Sequence, residues 1–300
     1  MMAAMPGSDP GSSPVFQLKY GSTSFSLRLP PGSLAGVIAF EPTVTAAPAA
    51  DIVRNALDAC RERLEQFRPG EKVVIVTSDI TRYTGSEIYL PLLVERLNHQ
   101  GIPDSDIEIL IALGIHRKQT DHEHQKILGP LHGRIRVSDH DCDDPAQLIH
   151  VGRTANGIDV DINRRAVMAD RLILTGTIGF HYFAGYGGGR KSVLPGIASR
   201  QACMASHFAV LNPAPGSGRN PLACTGRLVG NPVHQAMLEA CEMVDPDLLL
   251  NTIISPDKQI IDVCAGHWRQ AHEDGCCRYH DLFAHPLRQR ADLVVASCGG

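Results

Sequence analysis

The sequence predicts an α/β protein, a parallel-rich sheet with flanking helices, and three observations carry that prediction. Continuous aliphatic and β-branched runs recur at residues 72–77 (KVVIVT), 107–113 and 171–175. Runs without polar alternation belong to strands buried on both faces. Each run ends in a polar loop, respectively SDITRYTG, GIHRKQTDHE and GTIGFHYFAGYGGGRKS. Between the first two runs Leu90, Leu93 and Leu97 recur at helical spacing before Gly101, so strand and helix alternate as crossover connections require.

The remaining elements follow in chain order. Residues 1–14 are rich in Gly, Ser, Pro and Ala and are expected to form a disordered tail. FQLKY and FSLRL alternate with period two around Gly21 and Ser22, which predicts a β-hairpin. Over residues 51–67 the apolar Val53, Ala56, Leu57, Cys60, Leu64 and Phe67 line one helix face, with Asp51 expected as N-cap. Residues 267–287 read as a weakly amphipathic helix or linker. The closing ADLVVASCGG reads as a buried strand leading into a Gly-Gly turn, the start of a second α/β domain. The expected organisation is a main domain over residues 15–270, then a linker and the first strand of a truncated second domain over 271–300.

Composition narrows the function. With 300 residues and 43% hydrophobic content the chain can bury a sizeable core. A net charge of -4 and a pI near 6.4, with no concentrated basic stripe, argue against nucleic acid or an anionic membrane as partner. A small molecule is the expected partner. No apolar run approaches the ~20 residues that span a bilayer, and the first residues lack a charged and then apolar leader, so the cytoplasm is expected. The nine cysteines are scattered without a CxxC pair and read as reduced, mostly buried thiols. Adjacent Cys276 and Cys277 lack a second pair and read as packing residues rather than zinc ligands.

In open α/β sheets ligands sit outside the carboxyl ends of the strands, and the polar loops lie there. Gly185, Gly187, Gly188 and Gly189 allow close approach of backbone N–H groups to an anion, and Arg190 and Lys191 add positive charge, so a phosphate ligand is expected; a plain flexible connection is the other reading. GYGGGRKS nearly matches the GxxxxGK[ST] loop of NTPases but has Arg190 where glycine must wrap the phosphate. The turn at Pro195 and Gly196 interrupts the helix such a site uses. A P-loop-like NTPase or kinase therefore stands as the alternative. Of fourteen histidines, His116, His181 and His207 hold positions after buried strands or after Lys191; imidazole suits proton transfer and binds nickel or zinc. The DHEH cluster at residues 121–124 reads as a solvated helix start. Asp79 and Arg82 in the first loop suit orientation of a histidine and a bidentate grip on a carboxylate, or else a capped helix start with a local ion pair.

SDITR, LGIHR and HYFAGYGGGRKSVLPG, with a histidine sixteen residues after the lysine, occur in the order and at the separations of the nickel-pincer lactate racemase family, which the chain resembles from about Phe16 onward, NPVHQAMLEA included. The spacing from His181 to Lys191 is ten, again as in that family. The resemblance implies an isomerase, a racemase or epimerase of a 2-hydroxy acid such as lactate. It also implies a nickel-pincer nucleotide, pyridinium-3,5-bisthiocarboxylic acid mononucleotide carrying nickel, joined covalently at Lys191 and with its metal bound by His207. His116 and His181 would be the catalytic acid/base pair on opposite faces of the substrate, Arg82 would bind it and Asp79 would orient its neighbours. Ser78, Thr81, Gly187, Gly188, Gly189 and Arg190 would hold the cofactor, and cofactor-synthesis enzymes would be transient partners. Tyr83 stands where the family has proline. The family continues past the position of Gly300 with a segment that supplies Gln and Lys to the substrate site, so a catalytically incomplete cofactor-binding relative stands as a further alternative to the racemase.

Overall fold

The computed structural model describes residues 13–38, 47–286 and 290–297. Residues 1–12 of the expected tail, residue 287 of the expected last helix and residues 298–300 of the expected closing strand lie outside the described residues. The chain divides into two compact units. In the first, the predicted hairpin is present: β1 (Val15–Tyr20) pairs antiparallel with β2 (Thr23–Arg28), and Gly21 takes a φ of 58° in the turn. The same unit holds residues 290–297, whose Ser297 hydroxyl donates to the Lys19 carbonyl. The buried strand expected there is absent over residues 291–297: Leu293 and Val294 are exposed. A strand needs a neighbour for its backbone groups, and no described strand pairs with this run.

The second unit opens with α1 (Ala49–Ala59) and α2 (Arg61–Leu64), where one continuous helix was expected. The chain leaves helical geometry at Cys60 (φ -106°, ψ 20°), yet Leu64 and Phe67 still reach the core. The helix starts earlier than Asp51, after Pro48, because Ala49 and Ala50 are themselves good helix formers; Asp51 lies in the first turn and pairs with Arg54 at 2.9 Å. Then come β3 (Val73–Ser78), α3 (Ser86–His99), β4 (Ile107–Ala112), α4 (Asp121–Leu128), β5 (Arg136–Asp139), a β6–β7 hairpin (Leu148–Arg153 and Asp159–Asn163), α5 (Arg164–Val167) and β8 (Arg171–Ile178). Two short strands, β9 (Phe180–His181) and β10 (Gly185–Tyr186), precede α6 (Arg200–Phe208), α7 (Pro232–Val244), β11 (Leu248–Ile254), β12 (Ile260–Gly266) and α8 (Trp268–Phe283). The DHEH cluster is indeed a helix start, with Thr120 and Glu123 forming a capping box.

Six strands form the central sheet in the order β12-β11-β8-β3-β4-β5. All pairs are parallel except β11 with β12. Alternate residues of each strand enter opposite cores, as the period of two requires. Val73, Ile75, Ile107, Ile109 and Ile173 pack with α1 and α3, while Val74, Val76, Leu110, Leu172 and Leu174 pack with the α6–α8 side. Each such fully buried aliphatic side chain contributes about 1.5–3 kcal/mol. Strand order reverses at β3, with β4 on one side and β8 on the other, and this switch point opens a crevice at the carboxyl ends. No helix among the described residues is long and apolar enough to cross a membrane.

Candidate active site

The carboxyl ends of β3, β4 and β8 surround a cavity of about 280 Å³. From the β3 side, Asp79 is 3% exposed and accepts from the Thr81 amide (3.1 Å) and hydroxyl (2.6 Å) on one oxygen. Its other oxygen meets His116 Nδ1 at 2.5 Å. A carboxylate only accepts, so the His116 proton lies on Nδ1 and the Nε2 lone pair is left for the cavity. Arg82 lines the mouth and has no carboxylate partner among the described residues. Thr81, expected at the cofactor, holds Asp79 instead and does not line the cavity. Ser78 does line it.

The β8 side is built differently. After Ile178 the chain makes the β9–β10 pair, in which His181 faces Gly185. The His181 Nδ1 accepts from the backbone N–H groups of Phe183 (3.2 Å) and Ala184 (3.1 Å). Its neutral ring therefore carries its proton on Nε2, the opposite tautomer to His116. Burial, then the charges of Lys191 and Arg82, push its pKa down to about 3. Burial first, then Arg82 and Arg190, likewise lower the Lys191 amine to about 7, which leaves a large fraction of it uncharged and nucleophilic near neutrality. On α6, His207 Nδ1 donates to the Cys203 carbonyl at 2.8 Å, and Cys203 and His207 both line the cavity.

The Gly-rich segment corrects one expectation. The Gly187 amide donates to the Gly179 carbonyl (2.7 Å) and the Gly189 amide to Asn251 Oδ1 (2.9 Å), so neither points to a ligand. Gly189 is needed for packing: a Cβ there would stand 2.0 Å from Leu249 Cδ1. Gly188, with φ 88° and room for no side chain beside Ile178, and Gly187 line the cavity, whereas Gly189 and Arg190 do not. Arg190 is 1% exposed and turned into the core, because all its donors find partners there. Residues 189–192 form one short 3₁₀ turn, and the next helix begins at Arg200. An NTPase loop needs a run of inward amides and a helix N-terminus; here the Gly187 and Gly189 amides are turned to protein partners and no helix starts before Arg200.

The structure thus brings Ser78, Asp79, Arg82, His116, His181, Gly187, Gly188, Lys191 and His207 to one cavity. Sequence reasoning missed Phe180, Cys203, Gly114 and Gly196, which also line it. Of these, only Cys203 carried a signal, four residues before His207 on a helix. Asp79 is the one carboxylate in a cavity that holds Arg82, Lys191 and three histidines, so an anionic ligand is complementary. The donor set also fits the pincer nucleotide. A histidine that donates from Nδ1 to a backbone carbonyl, as His207 does, is oriented as a metal ligand through Nε2, and Lys191 offers an amine whose pKa is lowered to about 7. No cluster of three or more His, Cys, Asp or Glu suited to a metal exists among the described residues.

Comparison with known proteins places the chain. The lactate racemase N-terminal domain family matches residues 20–218. The lactate racemase of Thermoanaerobacterium thermosaccharolyticum is 34% identical over 293 residues, 95% of this chain and 66% of that protein. The lactate racemase of Lactiplantibacillus plantarum is 36% identical over 244 residues, 80% of this chain and 55% of that one. The chain therefore spans only part of the length of these relatives. Among solved structures, the lactate racemase apoprotein from T. thermosaccharolyticum superposes with a TM-score of 0.78 at 34% identity, covering 88% of this chain and 62% of that one. A Thermotoga maritima protein shares the fold at a TM-score of 0.62 and 23% identity, covering 78% of this chain and 59% of that one. By its motifs, its fold and this match, the chain belongs to the lactate racemase N-terminal domain family.

Proposed function

We propose that the protein is an isomerase that inverts the α-carbon of a 2-hydroxy acid, lactate by default, using a nickel-pincer nucleotide held covalently at Lys191 and through His207. The observation that carries this reading is the convergence of a half-buried lysine amine with three differently held histidines on one cavity. The bound group supplies a hydride acceptor and donor for the α-carbon. The chain supplies the rest. Arg82, open at the mouth, grips the substrate carboxylate with its fork. His116, with Nε2 unprotonated and Asp79 behind it, accepts the hydroxyl proton, and the carboxylate stabilises the resulting imidazolium. His181, neutral, donates a hydrogen bond from Nε2 to the substrate oxygen and keeps that proton, while the His116 imidazolium returns its proton to the same oxygen; to serve as the base for the opposite enantiomer, the His181 ring must release the backbone bonds at Nδ1 and carry its proton there.

Residues 15–270 act in this reading as the cofactor-binding domain, followed by the start of a second one. Eight free cysteines among the described residues agree with a reducing cytoplasm. The other partners are the 2-hydroxy acid and, transiently, the enzymes that build the cofactor. The test is intact mass and nickel content after co-expression with those enzymes. A mass increase with one nickel per chain, both lost in Lys191→Ala, is expected; a bare wild-type mass without nickel overturns the reading. Interconversion of lactate enantiomers by the loaded protein then establishes turnover.

A further inference from the structure

Arg190 is the largest fully buried side chain among the described residues, and it is a cation with no carboxylate partner among them. Its Nε donates to His234 Nδ1 at 2.8 Å, from α7, and one terminal nitrogen donates to His272 Nε2 at 2.9 Å, from α8. The other donors return to the loop itself, to the carbonyls of Ala184 (3.2 Å), Tyr186 (3.3 Å) and Gly187 (3.3 Å). A guanidinium can only donate, so His234 Nδ1 accepts; His272 Nε2, which also lies 3.0 Å from the Gly187 carbonyl, accepts from the arginine in the tautomer that carries its proton on Nδ1, beside Cys276 Sγ. Burial and the Arg190 charge hold both pKa values far below the ordinary histidine range. A buried charge costs several kcal/mol unless every donor is satisfied. An ordinary packing position would hold an aliphatic side chain more cheaply, and a stabilising one would set a carboxylate against the arginine.

We propose that Arg190 is a positioning residue for Lys191: gripped by His234 and His272, its fork closes the segment from residue 184 to residue 191 into the one conformation that delivers the neighbouring lysine amine to the cavity. Adjacent residues of the 3₁₀ turn point in different directions, so the arginine anchored inward fixes where the lysine emerges outward. Two neutral imidazoles anchor the fork without cancelling its charge, which still acts on the amine together with that of Arg82 at the same cavity. The inference rests on the racemase reading only in treating Lys191 as the reacting amine.

The test is therefore read without cofactor or turnover. The cofactor-free chain is treated with an acylating amine reagent at neutral pH, and labelling of Lys191 is followed by peptide mass spectrometry against exposed Lys118 and Lys258. In Arg190→Gln, labelling of Lys191 is expected to slow about tenfold or more, since an ångström of misplacement costs a reaction that much, while the reference lysines and the circular dichroism stay unchanged. Arg190→Lys, which keeps the charge but not the fork, is expected to recover only part of the rate. Wild-type labelling in folded Arg190→Gln overturns the proposal, and so does full recovery in Arg190→Lys, which would assign the effect to charge alone. If Arg190→Gln does not fold, His272→Asn decides by the same readout: slowed labelling supports the role and an unchanged rate overturns it. Loss of nickel binding in wild type would sink the racemase reading and leave this result standing.

Discussion

The two walls of the cavity prepare the same side chain in opposite ways. On the β3–β4 wall His116 donates from Nδ1 to a buried carboxylate and is largely solvent-exposed. On the β8 wall His181 is partly buried among cations and takes two backbone N–H groups at Nδ1, and behind it His234 and His272 accept from Arg190. The environment, not the residue type, decides which imidazole turns a lone pair to the cavity and which an N–H, and so which serves as base in the proposed reaction. One wall stores a place for positive charge; the other already contains it.

Asp79→Asn breaks the comparison most sharply. The amide presents a donor to His116 Nδ1 and forces the proton to Nε2, so both walls then offer donors and no base remains. The kcat of the loaded enzyme is expected to fall about 10²-fold or more, the usual contribution of a positioned base, with KM changed less. In the cofactor-free chain, ¹⁵N NMR of the His116 ring should switch tautomer. A kcat within twofold of wild type would mean that the carboxylate does not set the role of His116.

Acid separates the walls next. A histidine whose folded pKa lies below its unfolded value of 6.5 binds fewer protons in the folded state, so stability is lost as pH falls below about 6.5. His181 and His234, both lowered to about 3, and the buried His272 and His140 all act in this direction. The melting temperature should drop by several degrees from pH 7 to pH 4, and His234→Asn should flatten that slope. An equal slope in the variant would place the acid sensitivity elsewhere.

The same contrast separates what the sequence discloses from what it does not. The strands were legible because β3, β4 and β8 are unbroken aliphatic runs, and the site's position followed because their polar loops fall at one end of a parallel sheet. Asp79, His116 and Arg82 were readable since each lies within a few residues of a strand end. Arg190 was misjudged because direction along a 3₁₀ turn is set by partners 44 and 82 residues away in His234 and His272, and no local spacing links them. The helix over residues 51–67 broke at Cys60 without changing its apolar face, so periodicity alone gave no sign of the interruption.

The glycines give the finest division, because the loop uses them for two different purposes. Gly189→Ala drives a methyl group into Leu249, a clash of 2.0 Å with the second core, and should cost about 1–3 kcal/mol, the usual range for overpacking. Gly187 lines the cavity, and a Cβ there would meet the Thr177 carbonyl at 3.4 Å, an ordinary contact, with no left-handed φ to strain it. Gly187→Ala should therefore change stability by less than about 0.5 kcal/mol, as for substitutions away from special features, and show itself, if at all, in the rate at which Lys191 is labelled. Equal losses of stability at the two positions would mean that the loop packs as one body, and the division between anchor and cavity wall would fall with it.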